Sequence, residues 1–124
     1  LAALLFLLGV GGCVSAGAGR TSGAAAVDPD RISEEELAAD PGQDLLTIIE
    51  SLRPRWLRPR GRTFTGVAPV AVVVDGVPWQ GGVGNLRSIR ASDVRELRYL
   101  SAADATTQFG SDMAGGAIVV YRKR

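Results

Sequence analysis

Histidine is absent from the 124 residues, cysteine and methionine each occur once, and Lys123 is the single lysine. Without histidine the commonest general base near neutral pH and the commonest zinc ligand are both missing. Neither a Ser-His nor a Cys-His nucleophile can be assembled. The lone Cys13 cannot close a disulfide within the chain, so its role has to be sought elsewhere. Net charge is +1, which by itself selects no class of partner. The chain also lacks an apolar run long enough to span a bilayer as a helix, which takes about 20 residues. At this length one domain is expected, and about 80 to 95 residues are left for its core once an export segment and tether are set aside.

What is present is unevenly spread. Asp28 to Glu50 carries eight acids against the single Arg31, whereas Arg53 to Arg62 carries five arginines and no acid. Arginine supplies thirteen of the fourteen basic charges, which reads as a compositional habit of the source.

Residues 1–10, LAALLFLLGV, fit the hydrophobic core of a secretion signal. No basic segment or initiator Met precedes them, so the true start is expected upstream. The run leads into V10-G-G-C13, which resembles a bacterial lipobox. That resemblance implies cleavage before Cys13, a diacylglycerol on its sulfur and acylation of the new amino end. Several acyl chains make anchoring stable where one is marginal. The competing reading is a buried cysteine, for which the surrounding G-G-C-V-S-A-G-A-G is poor helix and poor core. Val14 after the cysteine implies outer-membrane sorting, facing the periplasm. Residues 14–30 read as a flexible tether.

Ser33 followed by Glu36 forms a capping-box pattern that opens a helix ending by Pro41-Gly42. A second helix is expected from Asp44 to Leu52, with Leu45, Ile48, Ile49 and Leu52 on one face, stopped by Pro54. Residues 31–53 thus form short acidic helices whose charges cover their solvent sides. Across R53-P-R-W-L-R-P-R-G-R62, Trp56 and Leu57 could dock on the core while the arginines reach water. The same residues could instead contact lipid or glycan headgroups, or phosphates and bases. An exported protein seldom meets nucleic acid, so no nucleic-acid partner is expected.

Thr63 to Val67 suggests a short edge strand. V70-A-V-V-V74 is a central strand buried on both faces, turned by Asp75-Gly76, and Pro78 restricts the next strand to an edge. Gly81 to Gly84 reads as a flexible loop without dinucleotide spacing. Ser92 is placed as the cap of a one-turn helix. Val94 to Leu100 fits helix or strand on pattern alone. Ala102 to Phe109 forms a short helix closed by Gly110. Gly115-Gly116 admits the last strand, Ala117 to Tyr121.

In order, V72-V-V-D-G-V-P78, L86-x-x-I89, S92-D-V-R-E-L-R-Y-L100, A105-x-x-x-F109-G-S111 and G115-G-A-I-V-V120 resemble the plug domain of TonB-dependent outer-membrane receptors. R58-P-R-G61 resembles the stretch before the plug's first strand, so the likeness runs from about Leu52 to Arg124. It implies a strand from near Arg95, and an α+β fold for residues 54–124 with a small mixed sheet and short flanking helices. The usual lysine-glycine pair after the middle strand is Ser101-Ala102 here. No transmembrane barrel pattern follows and no energy-coupling segment precedes. The expectation is therefore a plug-like unit reused behind a lipoprotein signal.

No catalytic residue, metal or cofactor is expected. Asp75 has a turn role that accounts for it, and Asp104 with Asp112 fits local capping. The leading functional expectation is a non-enzymatic, membrane-anchored envelope module that binds a protein or surface ligand through Trp79, Asn85, Arg58 and Arg60. Asp75, Gly76, Gly110, Gly115 and Gly116 are expected to shape its turns. An exposed Trp79 would serve as a recognition anchor; a Trp79 folded over the sheet is the competing reading. The alternatives are an accessory to a separate TonB-dependent transporter, with an outer-membrane receptor as partner, and a carboxylate-based envelope enzyme.

Overall fold

A computed structural model describes residues 26–124; the apolar run, Cys13 and the tether up to residue 25 lie outside the described residues. Two apolar segments far apart in the chain, β4 (Ala71–Val74) and β7 (Ala117–Arg122), lie side by side and parallel. Val72 is opposite Ile118 and Val74 opposite Val120, and these four share one core. Val73 and Val119 point the other way into a second, smaller core. Burial on both faces explains the nearly unbroken valine run, since a half-solvated strand would alternate apolar with polar.

The remaining strands extend this pair outward. β6 (Val94–Leu100) runs antiparallel to β7, β1 (Arg31–Ile32) antiparallel to β6, and β5 (Val77–Trp79) antiparallel to β4. The five-stranded mixed sheet therefore has the order β1-β6-β7-β4-β5. Together with the flanking helices it makes the α+β architecture that the sequence implied. The strand expected from near Arg95 starts one residue earlier. Its register slips between Val94 and Glu96, a bulge that puts Val94 on the same face as Leu97. In a regular strand, residues three apart would face opposite sides.

The larger core lies under α1 (Glu34–Ala38), α2 (Leu45–Leu52) and a 3-10 turn over Pro54–Leu57. Ser33 and Glu36 form the reciprocal capping box, and Asp44 caps α2 through the Thr47 amide. Ile32, Leu37, Leu45, Leu46, Ile48 and Ile49 pack in the same core as Val72 and Ile118. Residues 31–53 and 54–124 therefore share one core, and a boundary after residue 53 would divide it. The smaller core lies under α3 (Ala102–Phe109), which contributes Ala105 and Phe109.

Several local expectations need correction. Leu52 is exposed and Leu46 is buried in its place, because α2 ends at Leu52 and its last three residues, Glu50, Ser51 and Leu52, face solvent. Thr63 to Val67 is not one strand. β2 (Gly61–Thr63) and β3 (Gly66–Ala68) form a separate antiparallel hairpin around Phe64-Thr65. The segment expected to be a glycine loop is a 3-10 helix over Gly82–Ser88 that seats Leu86 in the core. Ser92 lies inside the 3-10 turn Ala91–Asp93, which starts from Arg90 and has no side-chain cap.

Arg53 departs furthest from expectation. It is buried, with its guanidinium held by the carbonyls of Asp28 (3.0 Å), Arg31 (3.1 Å) and Leu52 (3.1 Å) and by the Glu36 carboxylate (2.9 Å). Next to it the Trp56 indole donates to the Pro29 carbonyl at 3.0 Å, and Arg55 pairs with Asp30 at 2.8 Å. The chain entering β1 is thereby fastened to the end of α2. Burial pushes the Glu36 carboxyl upward, but the Ser33 amide and the Arg53 hydrogen bond and charge together hold it below its ordinary range. Its contribution to stability is thus present above the unfolded pKa and fades as pH falls through the depressed folded value.

Replacing Arg53 by Met leaves Glu36 and three carbonyls without their donor. The expected loss is about 3 kcal/mol, read from the urea midpoint at constant m-value. Arg58→Met, at an exposed position, is expected to change stability by less than about 0.5 kcal/mol.

Candidate functional site

Trp79 closes β5 at the sheet edge. In the register of the two-residue hairpin it faces Val72, on the side of the larger core. It is accordingly half-buried, with part of the ring packed against that core. The amide of Asn85 donates to the Gln80 carbonyl across the turn, fastening the 80–85 loop to itself. Gly81 lies against that amide in a left-handed conformation (φ 99°).

Arg58 and Arg60 are exposed on another part of the surface. The Arg60 guanidinium lies over the Tyr99 ring at 5.9 Å, and Tyr99 stacks on Trp56 with centroids 5.9 Å apart. Strand register gives the relation between the two groups. Tyr99, Ile118, Val72 and Trp79 are opposed in turn across β6, β7, β4 and β5. The two aromatics thus end one lateral row, separated by three strand spacings or about 15 Å. The structure places Trp79 with Asn85, and Arg60 with Tyr99, but does not bring the four expected contact residues into one pocket.

The expected turn residues occupy turns. Asp75 has φ 50° and precedes Gly76 in the β4–β5 hairpin. Gly110 ends α3, and Gly116 enters β7 with φ 84°. A side chain at Gly116 would meet the Tyr99 hydroxyl at 2.8 Å, and one at Gly115 would meet the Pro69 carbonyl at 2.2 Å. Both positions need glycine for space, and Gly116 needs it for its backbone angle as well.

An open groove of about 590 Å³ runs beside the Asp75 turn, lined by Ser88, Ser92, Asp93, Arg122 and Lys123 among others. Its charges are largely matched. Asp75 accepts from the Arg122 amide at 3.0 Å and from its guanidinium at 2.8 Å. Lys123 pairs with Glu34 at 3.0 Å. The hydrogen bonds from the Arg122 side chain and backbone hold the Asp75 carboxyl below its ordinary range. Asp104 is likewise engaged, accepting the Ser101 hydroxyl at 2.8 Å as part of the α3 cap. Sequence reasoning saw the turn at Asp75 but missed its partner, because Arg122 lies 47 residues away at the far end of β7.

Among the described residues no group of three or more His, Cys, Asp or Glu is placed to hold a metal ion. Among known proteins, no family model matches the chain and no curated protein matches it.

The Asp75 carboxyl is expected to titrate below an ordinary aspartate and to return towards the usual value in Arg122→Gln. Carboxyl-carbon NMR on the two proteins checks this. The clasp is present above the unfolded pKa near 4 and is released only as pH falls through the lower, folded value. An unshifted titration in the native chain would remove the clasp.

Proposed function

We propose that the protein is a non-enzymatic module of the bacterial cell envelope, anchored through acyl chains on Cys13. Its folded part is the unit of a TonB-dependent receptor plug, and it acts by binding a protein or surface ligand. The observation that carries the reading is the meeting of the plug-like segments in one sheet. V72-V-V-D-G-V-P78 forms β4, its turn and most of β5; the S92-to-L100 segment forms a turn and β6; G115-G-A-I-V-V120 leads into β7 between them. A set of motifs that resembled the plug only as an ordered series thus occupies adjacent strands.

The absence of catalytic work in this reading is supported by how the candidate acids are used. Asp75 is bound to Arg122, and Asp104 to Ser101. Both contacts are structural uses of a carboxylate, one joining the β4–β5 turn to the end of β7 and the other capping α3. A binding role asks less of the fold: a rigid sheet, edges fixed by register, and side chains displayed at its margins. Trp79 supports that role as a half-buried platform beside the Asn85 loop. The exposed arginines form a second margin.

The anchoring is tested in the full chain expressed in a bacterium. The mature protein is expected to begin at an acylated Cys13 by mass spectrometry and to enter the detergent phase on phase partition. Cys13→Ala is expected to carry no acyl mass and to keep the apolar run of residues 1–10 uncleaved. A native chain without acyl mass on Cys13, or a Cys13→Ala chain still cut before position 13, refutes the anchoring. Binding is tested separately by affinity capture of the lipidated chain from envelope membranes, with Trp79→Ala expected to lose the specifically retained component.

A further inference from the structure

The β2–β3 hairpin stands outside the five-stranded sheet and carries the most exposed aromatic among the described residues. Phe64 at its tip is 111% exposed relative to a reference residue, and Val67 is 63% exposed. Ordinary packing does not account for Phe64, since nothing of the fold covers it.

The hairpin is fixed at its base. A Cβ at Gly61 would lie 1.8 Å from the Ala114 carbonyl, and one at Gly115 would lie 2.5 Å from the Ala68 carbonyl. Both legs therefore press against the backbone that enters β7. At the other end the Thr63 and Thr65 hydroxyls lie 3.0 Å apart, tightening the turn beneath Phe64. The result is a short, based finger with an apolar tip.

Its charge is one-sided. Arg53 and Arg55 are used inside the fold, but Arg58, Arg60 and Arg62 are exposed, and among the described residues none of the three enters an ion pair. Arg60 rests on Tyr99 and keeps its charge at the surface. Arg62 is directly opposite Val67 on the hairpin, so a cation and an apolar side chain share one face. No acid occurs between Glu50 and Asp75.

We propose that this hairpin docks on an anionic lipid bilayer, with Phe64 entering the boundary between headgroups and acyl chains and Arg58, Arg60 and Arg62 meeting lipid phosphates. An aromatic side chain with guanidinium groups around it matches that boundary in both layers: apolar below, anionic above. A protein groove would accept Phe64 equally well, but it would not by its nature require three unpaired cations and a stretch without acids. The docking does not rest on lipidation of Cys13. It acts through residues 58–67 and works on a bilayer to which the chain is not covalently tied.

The test uses the mature chain, residues 13–124, as Cys13→Ala/Phe64→Cys, labelled at the single cysteine with an environment-sensitive fluorophore. Vesicles are phosphatidylcholine alone or mixed with phosphatidylglycerol. On the anionic vesicles a blue shift and collisional quenching by a quencher on the lipid acyl chain are expected. The same label at Val67→Cys should report a shallower position, and at Ala103→Cys on α3 it should stay in water. Replacing Arg58, Arg60 and Arg62 by Gln is expected to weaken the response at position 64 several-fold. High salt should do the same. A label at position 64 that stays in water on anionic vesicles overturns the proposal, as does equal insertion into neutral vesicles or undiminished insertion by the glutamine variant.

Discussion

The parallel pairing of β4 with β7 is the constraint on which the rest depends. Its register sends Val72, Val74, Ile118 and Val120 into one core and Val73 and Val119 into the other. Both faces of the pair must then be covered, which fixes where the helices go. Parallel neighbours also require a long connection, and here it runs through β5, β6 and α3. Space at the entry to β7 is limiting. Gly115 passes against the Pro69 carbonyl, and Gly116 passes beneath Tyr99 with a backbone angle that side chains rarely adopt. The glycine pair and the valine run are thus two halves of one requirement.

A second layer of order comes from arginine, used in three ways within ten residues. Arg53 is enclosed by carbonyls and a carboxylate, where its planar fork can satisfy several acceptors at once. Arg55 binds Asp30 and the Pro29 carbonyl at the surface, reinforcing the same junction. Beyond Trp56 the arginines point outward, and one of them, Arg60, extends the Trp56–Tyr99 stack with a cation. A close series of identical residues in sequence therefore conceals a sharp division between structural and displayed charge.

That division explains what could be read without coordinates. The capping box at Ser33, the valine strand, the Asp-Gly turn and α3 are all written in residues a few positions apart, and all were legible. Arg53 was not, because its acceptors lie up to 25 residues upstream, and no periodicity reports them. Thr63 to Val67 reads as one edge strand although the hairpin turns within it, since β-propensity does not mark where a chain turns back. Trp79 shows a further limit. Hairpin parity places it on the face of Val72, but β4 is buried on both sides, so parity alone does not say how deeply its neighbour is covered. At the candidate site Asn85 turns back to the carbonyl of Gln80, the residue after Trp79. Their separation from Arg60 is a matter of strand order, which the sequence does not carry.

The outer strands of the sheet are short: β1 has two residues and β5 has three, with Pro78 at the middle of β5. Proline has no amide hydrogen to offer, and neither strand gives a second polypeptide much length to align with. Many copies held at high density would therefore lack a template for growing one sheet into the next. Fibre-like self-association is discouraged by the same clipped margins that leave the centre of the molecule so rich in valine and isoleucine.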